Sequence, residues 1–216
     1  MERLRELVAS SIGKKELMAA TGLAFIGFLI IHLAGNLSIY GGGDAFNAYA
    51  DKLHSLGPLI ELAELGLLAV GLVHIGFASI IMVENISARP KRYAVKGGEG
   101  GRTLASRTML LSGPYILLFV VFHLLHFTLI DKGGQTIAEI VSARFHDPVW
   151  VAFYCCSMLV VGLHISHGFW SGFQTLGLET LRRGGLRKLA LVAGVVFALG
   201  FSSLPIAVYT ISDLLR

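Results

Sequence analysis

Cysteine is nearly missing from this sequence. Its two copies in 216 residues, Cys155 and Cys156, are adjacent, and neighbours on one helix cannot close an ordinary structural disulfide with each other. They read as apolar packing, and no cysteine framework for iron–sulfur clusters exists. Charge is scarce as well. Asp, Glu, Lys and Arg make up 15% of the chain, against about 25% in an ordinary soluble domain. A dinucleotide-binding fingerprint is also absent. The glycines of Lys96-Gly-Gly-Glu-Gly-Gly-Arg102 lack the strand-to-helix setting of a phosphate loop, so that segment reads as a flexible connection.

What the chain has instead is apolar length. It is 54% hydrophobic with a mean hydropathy of +0.70, the composition of a membrane protein. Five stretches reach the roughly 20 residues a spanning helix needs: 17–40, 59–83, 109–130, 149–173 and 189–214. The first is no secretory signal, being too long and lacking a small-residue cleavage pattern. Residues 1–216 are therefore expected to form a single all-α, five-helix transmembrane bundle.

Lysine and arginine set its orientation. Arg3, Arg5, Lys14 and Lys15 precede the first span; Arg89, Lys91, Arg92, Lys96, Arg102 and Arg107 follow the second; Arg182, Arg183, Arg187 and Lys188 follow the fourth. Together these are 14 of the 18 basic residues, and the other face receives Lys52, Lys132, Arg144 and Arg216. Positive loops stay in the cytoplasm, which predicts a cytoplasmic N-terminus and an external C-terminus. The net charge of +4 then describes topology and contact with anionic lipid, not nucleic-acid binding.

Four of these spans carry a histidine: His32, His74, His123 and His164. An ionisable side chain inside a membrane is a functional hypothesis by default. At 1.5 Å rise per residue, His32 and His123 lie about 21 to 22 Å from the cytoplasmic edge, whereas His74 and His164 lie about 14 Å from it. Two pairs at two depths, each pair drawn from different helices, suit axial ligation of two stacked hemes. The bland alternative is that each imidazole merely bonds a neighbouring helix. Tetrahedral metal sites fit less well, because no Cys or carboxylate neighbours these positions in sequence. Bis-imidazole ligation saturates the iron and favours electron transfer over oxygen binding.

Small residues accompany the histidines. Gly22, Gly27, Gly35, Gly66, Gly71, Gly76, Gly113, Gly162, Gly168 and Gly172 either admit a flat macrocycle or serve ordinary close helix packing. Pro114 and Pro205 are expected to kink their helices. The fifth span has no histidine and closes the bundle or packs against a copy of the chain. Two short amphipathic helices are expected on the outer side, one from Asp44 to Ser55 capped by Asp44 and one from Gln135 to Phe145.

The segments Gly22-Leu-Ala-Phe-Ile-Gly-Phe-Leu-Ile-Ile-His32-Leu, Ala45-Phe46-Asn47, Phe122-His123, Phe153-Tyr154, His164-Ile-Ser-His-Gly168-Phe-Trp170 and Gly177-Leu178 closely resemble the five-helix diheme cytochrome b subunit of succinate:quinone oxidoreductases. These are the membrane anchors of quinol:fumarate reductase and of Bacillus-type succinate dehydrogenase. The resemblance covers essentially the whole chain and rests on the ordered set of features. It implies two b-type hemes, a proximal one on His74 and His164 and a distal one on His32 and His123. It implies a multi-pass subunit of the bacterial cytoplasmic membrane, its C-terminus periplasmic. Such a subunit exchanges electrons with menaquinone or menaquinol and anchors an iron–sulfur subunit and a flavoprotein with covalent FAD, the heterotrimer able to pair as a homodimer. Alone, the chain could not oxidise succinate.

Around that frame, His126 and His167 each lie three residues after an expected ligand, on the same helical face, and could exchange roles with it. His126 is a candidate for quinone or proton chemistry or for a helix-helix or propionate hydrogen bond; His167 is a candidate for propionate contact or for packing. Proton acceptors for a quinol are sought among Asn36, Asp51, Glu61, Glu64 and His126. Glu61 and Glu64 are favoured beside the reading that they are carboxylates at a helix start, stabilised by its dipole. The chain departs from some menaquinol-oxidising relatives, which carry a glutamate where Gly162 stands, so a transmembrane proton path of that type is doubtful. The acidic residue that some relatives place in the first outer loop is replaced by Asn47 or a neighbour. The competing electron-transfer assignment is the diheme cytochrome b of a hydrogenase or formate dehydrogenase; outside that class stands a heme-free transporter or scaffold.

Overall fold

The computed structural model describes residues 8–88, 104–178, 183–211 and 213–215, without the side chains of Leu104, Ser106 and Arg183. The glycine-rich connection 96–102 and the basic residues Arg3, Arg5, Arg89, Lys91, Arg92, Arg182 and Arg216 lie outside the described residues. Within them the chain is all helical. Seven α-helices run in the order α1 (Ser11–Asn36), α2 (Gly43–His54), α3 (Pro58–Ser87), α4 (Leu104–Phe127), α5 (Ile137–Phe145), α6 (Pro148–Thr175) and α7 (Arg183–Thr210), with a 3-10 turn at Leu37–Gly41. Five of them, α1, α3, α4, α6 and α7, are long and apolar enough to cross a membrane, the character of a multi-pass membrane protein.

Local chemistry explains where the helices start. Ser10 caps α1 by accepting from the Gly13 N–H at 3.0 Å. Gly57, at φ +52°, turns the chain into Pro58, whose fixed φ suits a first helical position. Asp147 does the same work for α6, accepting from Val149 N–H at 2.9 Å ahead of Pro148. The two short helices begin differently from expectation. Gly42, at φ +92°, is the N-cap of α2 and makes no side-chain cap bond, so Asp44 sits in the first turn, where it meets the helix dipole. Helix α5 starts at Ile137, because Thr136 and Glu139 form a reciprocal capping box that ends the preceding turn. Pro114 and Pro205 lie inside α4 and α7, which continue through them.

The spans alternate in direction. At the end where α1 begins, called here the near end, Lys14 of α1 pairs with Glu84 at the close of α3. At the far end α2 and α5 lie together, joined by the Ala138 N–H donating to Asn47 Oδ1 at 3.0 Å. The buried core collects there and along α6 and α7, from Ile39, Phe46, Val141 and Phe145 to Tyr154, Met158, Phe197 and Val208. Helix α3 contrasts with this: it packs chiefly on α1 and buries no residue.

The tightest crossing joins α6 to α7. A Cβ added at Gly162 would lie 2.6 Å from Gly194 O and 2.9 Å from Ala198 Cβ. Backbone meets backbone at this point, which is packing by small residues rather than room for a macrocycle. Gly35 and Gly172 instead receive side chains: the Tyr49 ring fills the space a Cβ would take at Gly35, and Leu23 Cγ stands 3.3 Å from that position at Gly172.

Candidate functional site

Four spans deliver their histidines to the bundle interior in two groups. In the far half, the His32 and His123 rings have centroids 5.9 Å apart with planes at 89°. Two imidazoles sharing one iron need metal–nitrogen bonds of about 2 Å and ring half-widths of about 1.1 Å on each side, which places their centroids about 6 Å apart. The measured spacing fits that requirement. Phe28 stacks on His32 at 5.1 Å, Phe201 approaches it from α7 at 5.7 Å, and Phe119 and Phe127 flank His123 at 5.9 and 5.4 Å. This apolar lining excludes water. Nδ1 of His123 is buried without a hydrogen-bond partner among the described residues.

In the near half, His164 lies within electrostatic reach of His74 and His167. The His74 ring packs on α1: a Cβ at Gly22 would come 3.1 Å from His74 Cε1, and Phe25 meets the ring edge-on at 5.9 Å. Its Nδ1 lies 3.1 Å from both Met18 O and Thr21 Oγ1. A carbonyl only accepts, so Nδ1 carries the proton and Nε2 keeps a lone pair. Nδ1 of His164 lies 2.9 Å from Ser112 Oγ of α4. Each near-half imidazole therefore has a partner on a neighbouring span, as metal-bound histidines usually do.

The remaining candidates take other positions. His126 is buried against α6, with Nδ1 3.0 Å from Tyr154 Oη and its ring 4.3 Å from that of Trp150. This is an interhelical hydrogen bond inside an aromatic cage. Beside it the Arg144 guanidinium lies over Trp150 at 5.2 Å, and Arg144 Nε is buried without a partner among the described residues. His167 neighbours Trp170 at 6.2 Å near the other end of α6, where Arg187 covers the indole at 4.4 Å. Glu61 and Glu64 are exposed on the opening turns of α3, and no hydrogen bond or ring contact ties them to a histidine among the described residues. Asn36 donates to His32 O at 2.8 Å, Asp51 is exposed, and Asn47 ties α2 to α5 by accepting from Ala138 N–H. No group of three or more His, Cys, Asp or Glu that could hold a metal ion occurs among the described residues.

Sequence reasoning passed over Thr21, Ser112, Tyr154 and Arg144 as site residues. Ser112 and Thr21 are hydroxyls inside apolar helices, which was the available signal; their partners lie 52 and 53 positions away. Arg144 was read only as an external charge. No protein-family model, no curated protein and no solved structure matches the chain.

Proposed function

We propose that this chain is a diheme cytochrome b of the bacterial cytoplasmic membrane, acting as the quinone-reactive electron-transfer anchor of a succinate:quinone oxidoreductase. The observation that carries this reading is the His32–His123 pair, two imidazoles from different spans at a spacing that suits a shared iron. Bound heme would supply one-electron transfer. His32 and His123 would hold the far heme; His74 and His164 would hold the near one. The near end is cytoplasmic, where an iron–sulfur subunit and a flavoprotein would dock, and menaquinol or menaquinone would react toward the far end.

The chain's own residues do three things in this scheme. The aromatic lining of His32 and His123 keeps water from the far pair, which strengthens every electrostatic interaction inside. Arg144, a half-buried cation whose buried Nε lacks a partner among the described residues, lies beside Trp150 and suits a propionate carboxylate at the far end. Gly162 is closed against Gly194, so a carboxylate at that position has no room and a proton path through it is not part of the proposal. Protons released by a quinol have Glu61, Glu64 and His126 as candidate acceptors, of which the two glutamates have solvent access.

The test is a reduced-minus-oxidised absorption spectrum of the purified chain with heme quantitation. The expected result is a sharp bis-imidazole α band and a heme-to-protein ratio approaching two. A second reading, histidines as interhelical fasteners in a heme-free scaffold, draws on the His126–Tyr154 and His164–Ser112 contacts. An iron-free preparation with intact helices would establish it and end the first.

A further inference from the structure

The two histidine pairs are built differently, and the hydrogen bonds say how. Thr21 Oγ1 donates to Leu17 O at 2.7 Å, so its lone pairs are what His74 Nδ1 meets at 3.1 Å, alongside Met18 O at the same distance. Ser112 follows the same arrangement. Its oxygen lies 3.4 Å from Met109 O, one turn back, and 2.9 Å from His164 Nδ1; with the hydroxyl proton turned to the carbonyl, the oxygen accepts from that imidazole. The Met18 carbonyl places the His74 proton on Nδ1, and Ser112 does the same for His164 when its oxygen accepts, which leaves Nε2 with the lone pair that a metal requires.

The far pair has neither device. Nδ1 of His123 is buried without a partner among the described residues. Nδ1 of His32 faces Asn36 Nδ2 at 3.5 Å, and that nitrogen also reaches His32 O at 2.8 Å. An amide nitrogen donates to a carbonyl, which settles the orientation of the Asn36 side chain and turns a donor toward His32 Nδ1. That weak contact favours the proton on Nε2, the tautomer opposed to ligation through that atom.

We infer that Ser112 and Thr21, with the Met18 carbonyl, are positioning residues that preset the near pair for an axial metal, whereas the far pair acquires its ligating tautomer only on binding. This inference rests on the diheme reading above. The near centre then fills first when heme is limiting and releases heme last, and its imidazoles are the stronger electron donors for their surroundings. Outer partners of this kind are worth about 10- to 100-fold in metal affinity.

The experiment isolates the near centre in a His123→Ala chain, compares it with a His164→Ala chain that keeps the far centre, and challenges both with apomyoglobin as heme acceptor. In the His123→Ala background, Ser112→Ala is expected to lose heme about 10- to 100-fold more readily and to raise the midpoint potential, because an imidazole stripped of its acceptor donates less charge. Ser112→Thr, which keeps the hydroxyl, is expected to restore both readouts; a merely structural role would leave the potential where it was. Thr21→Val, retaining the Met18 carbonyl, is expected to give a smaller change in the same direction. Two outcomes overturn the inference while leaving the diheme reading in place: a Ser112→Ala chain that matches its parent in heme release and potential, or a near centre that empties before the far one. A wild-type chain that binds no heme overturns both together.

Discussion

Gly162→Ala places one methyl group where α6 and α7 cross, and the structure sets its cost. The new Cβ would stand 2.6 Å from Gly194 O and 2.9 Å from Ala198 Cβ, whereas ordinary carbon contacts begin near 3.5 Å. The nearer obstacle is backbone and cannot rotate aside, so the two helices must separate by roughly 1 Å along their best-packed stretch. Overpacking of this kind costs about 1–3 kcal/mol. Alanine recovers up to about 1 kcal/mol of helix propensity relative to glycine, and the net expectation is a loss of about 1 kcal/mol. Gly66→Ala on α3 is the control, since a Cβ there meets nothing within 4 Å; its expected effect is neutral or slightly stabilising. Equilibrium unfolding in mixed micelles, followed by circular dichroism, measures both. Equal stability of the two variants would refute the inference that α6 and α7 meet through their glycines.

Three further outcomes are expected. Alanine at His32, His74, His123 or His164 should each cost at least one heme by pyridine hemochrome assay, whereas His54→Ala and His146→Ala, on exposed residues at the far end, should keep both. Tyr154→Phe removes the 3.0 Å contact to His126 and should destabilise the α4–α6 packing by about 0.6–2 kcal/mol, read in the same unfolding assay. Thr136→Ala breaks the capping box of α5 and should cost about 1 kcal/mol, visible as faster amide exchange in α5 with little change in α1 or α6.

The spans were legible because a bilayer leaves a single chain segment few options: some 20 apolar residues must satisfy their own backbone and therefore form a helix. Their ends were not. Helix α3 runs to Ser87 rather than stopping at position 83, and α4 starts at Leu104 rather than at 109, because a helix continues beyond the apolar core until something ends it. Asp44 looked like a cap by residue type, yet Gly42 takes that place, its φ of +92° being open only to glycine at little cost. The histidines stood out by their rarity in apolar surroundings. Their hydroxyl partners did not, since Ser112 and His164 become neighbours only when α4 docks on α6. Gly162 was legible as a small residue and not as a contact, for its meaning lies in Gly194, 32 positions on.

Helix α3 has a consequence of its own. None of its residues is fully buried and it packs chiefly on α1, so its polar ties to that helix add to a one-sided apolar contact. Those ties are Lys14 to Glu84 at the tip and the His74 imidazole on α1 at mid-height. The ring that would grip an iron is thus also the peg on which its own helix hangs. Tilting that imidazole and loosening the span are one mechanical act, and a ligand at His74 would stiffen the whole α1–α3 flank.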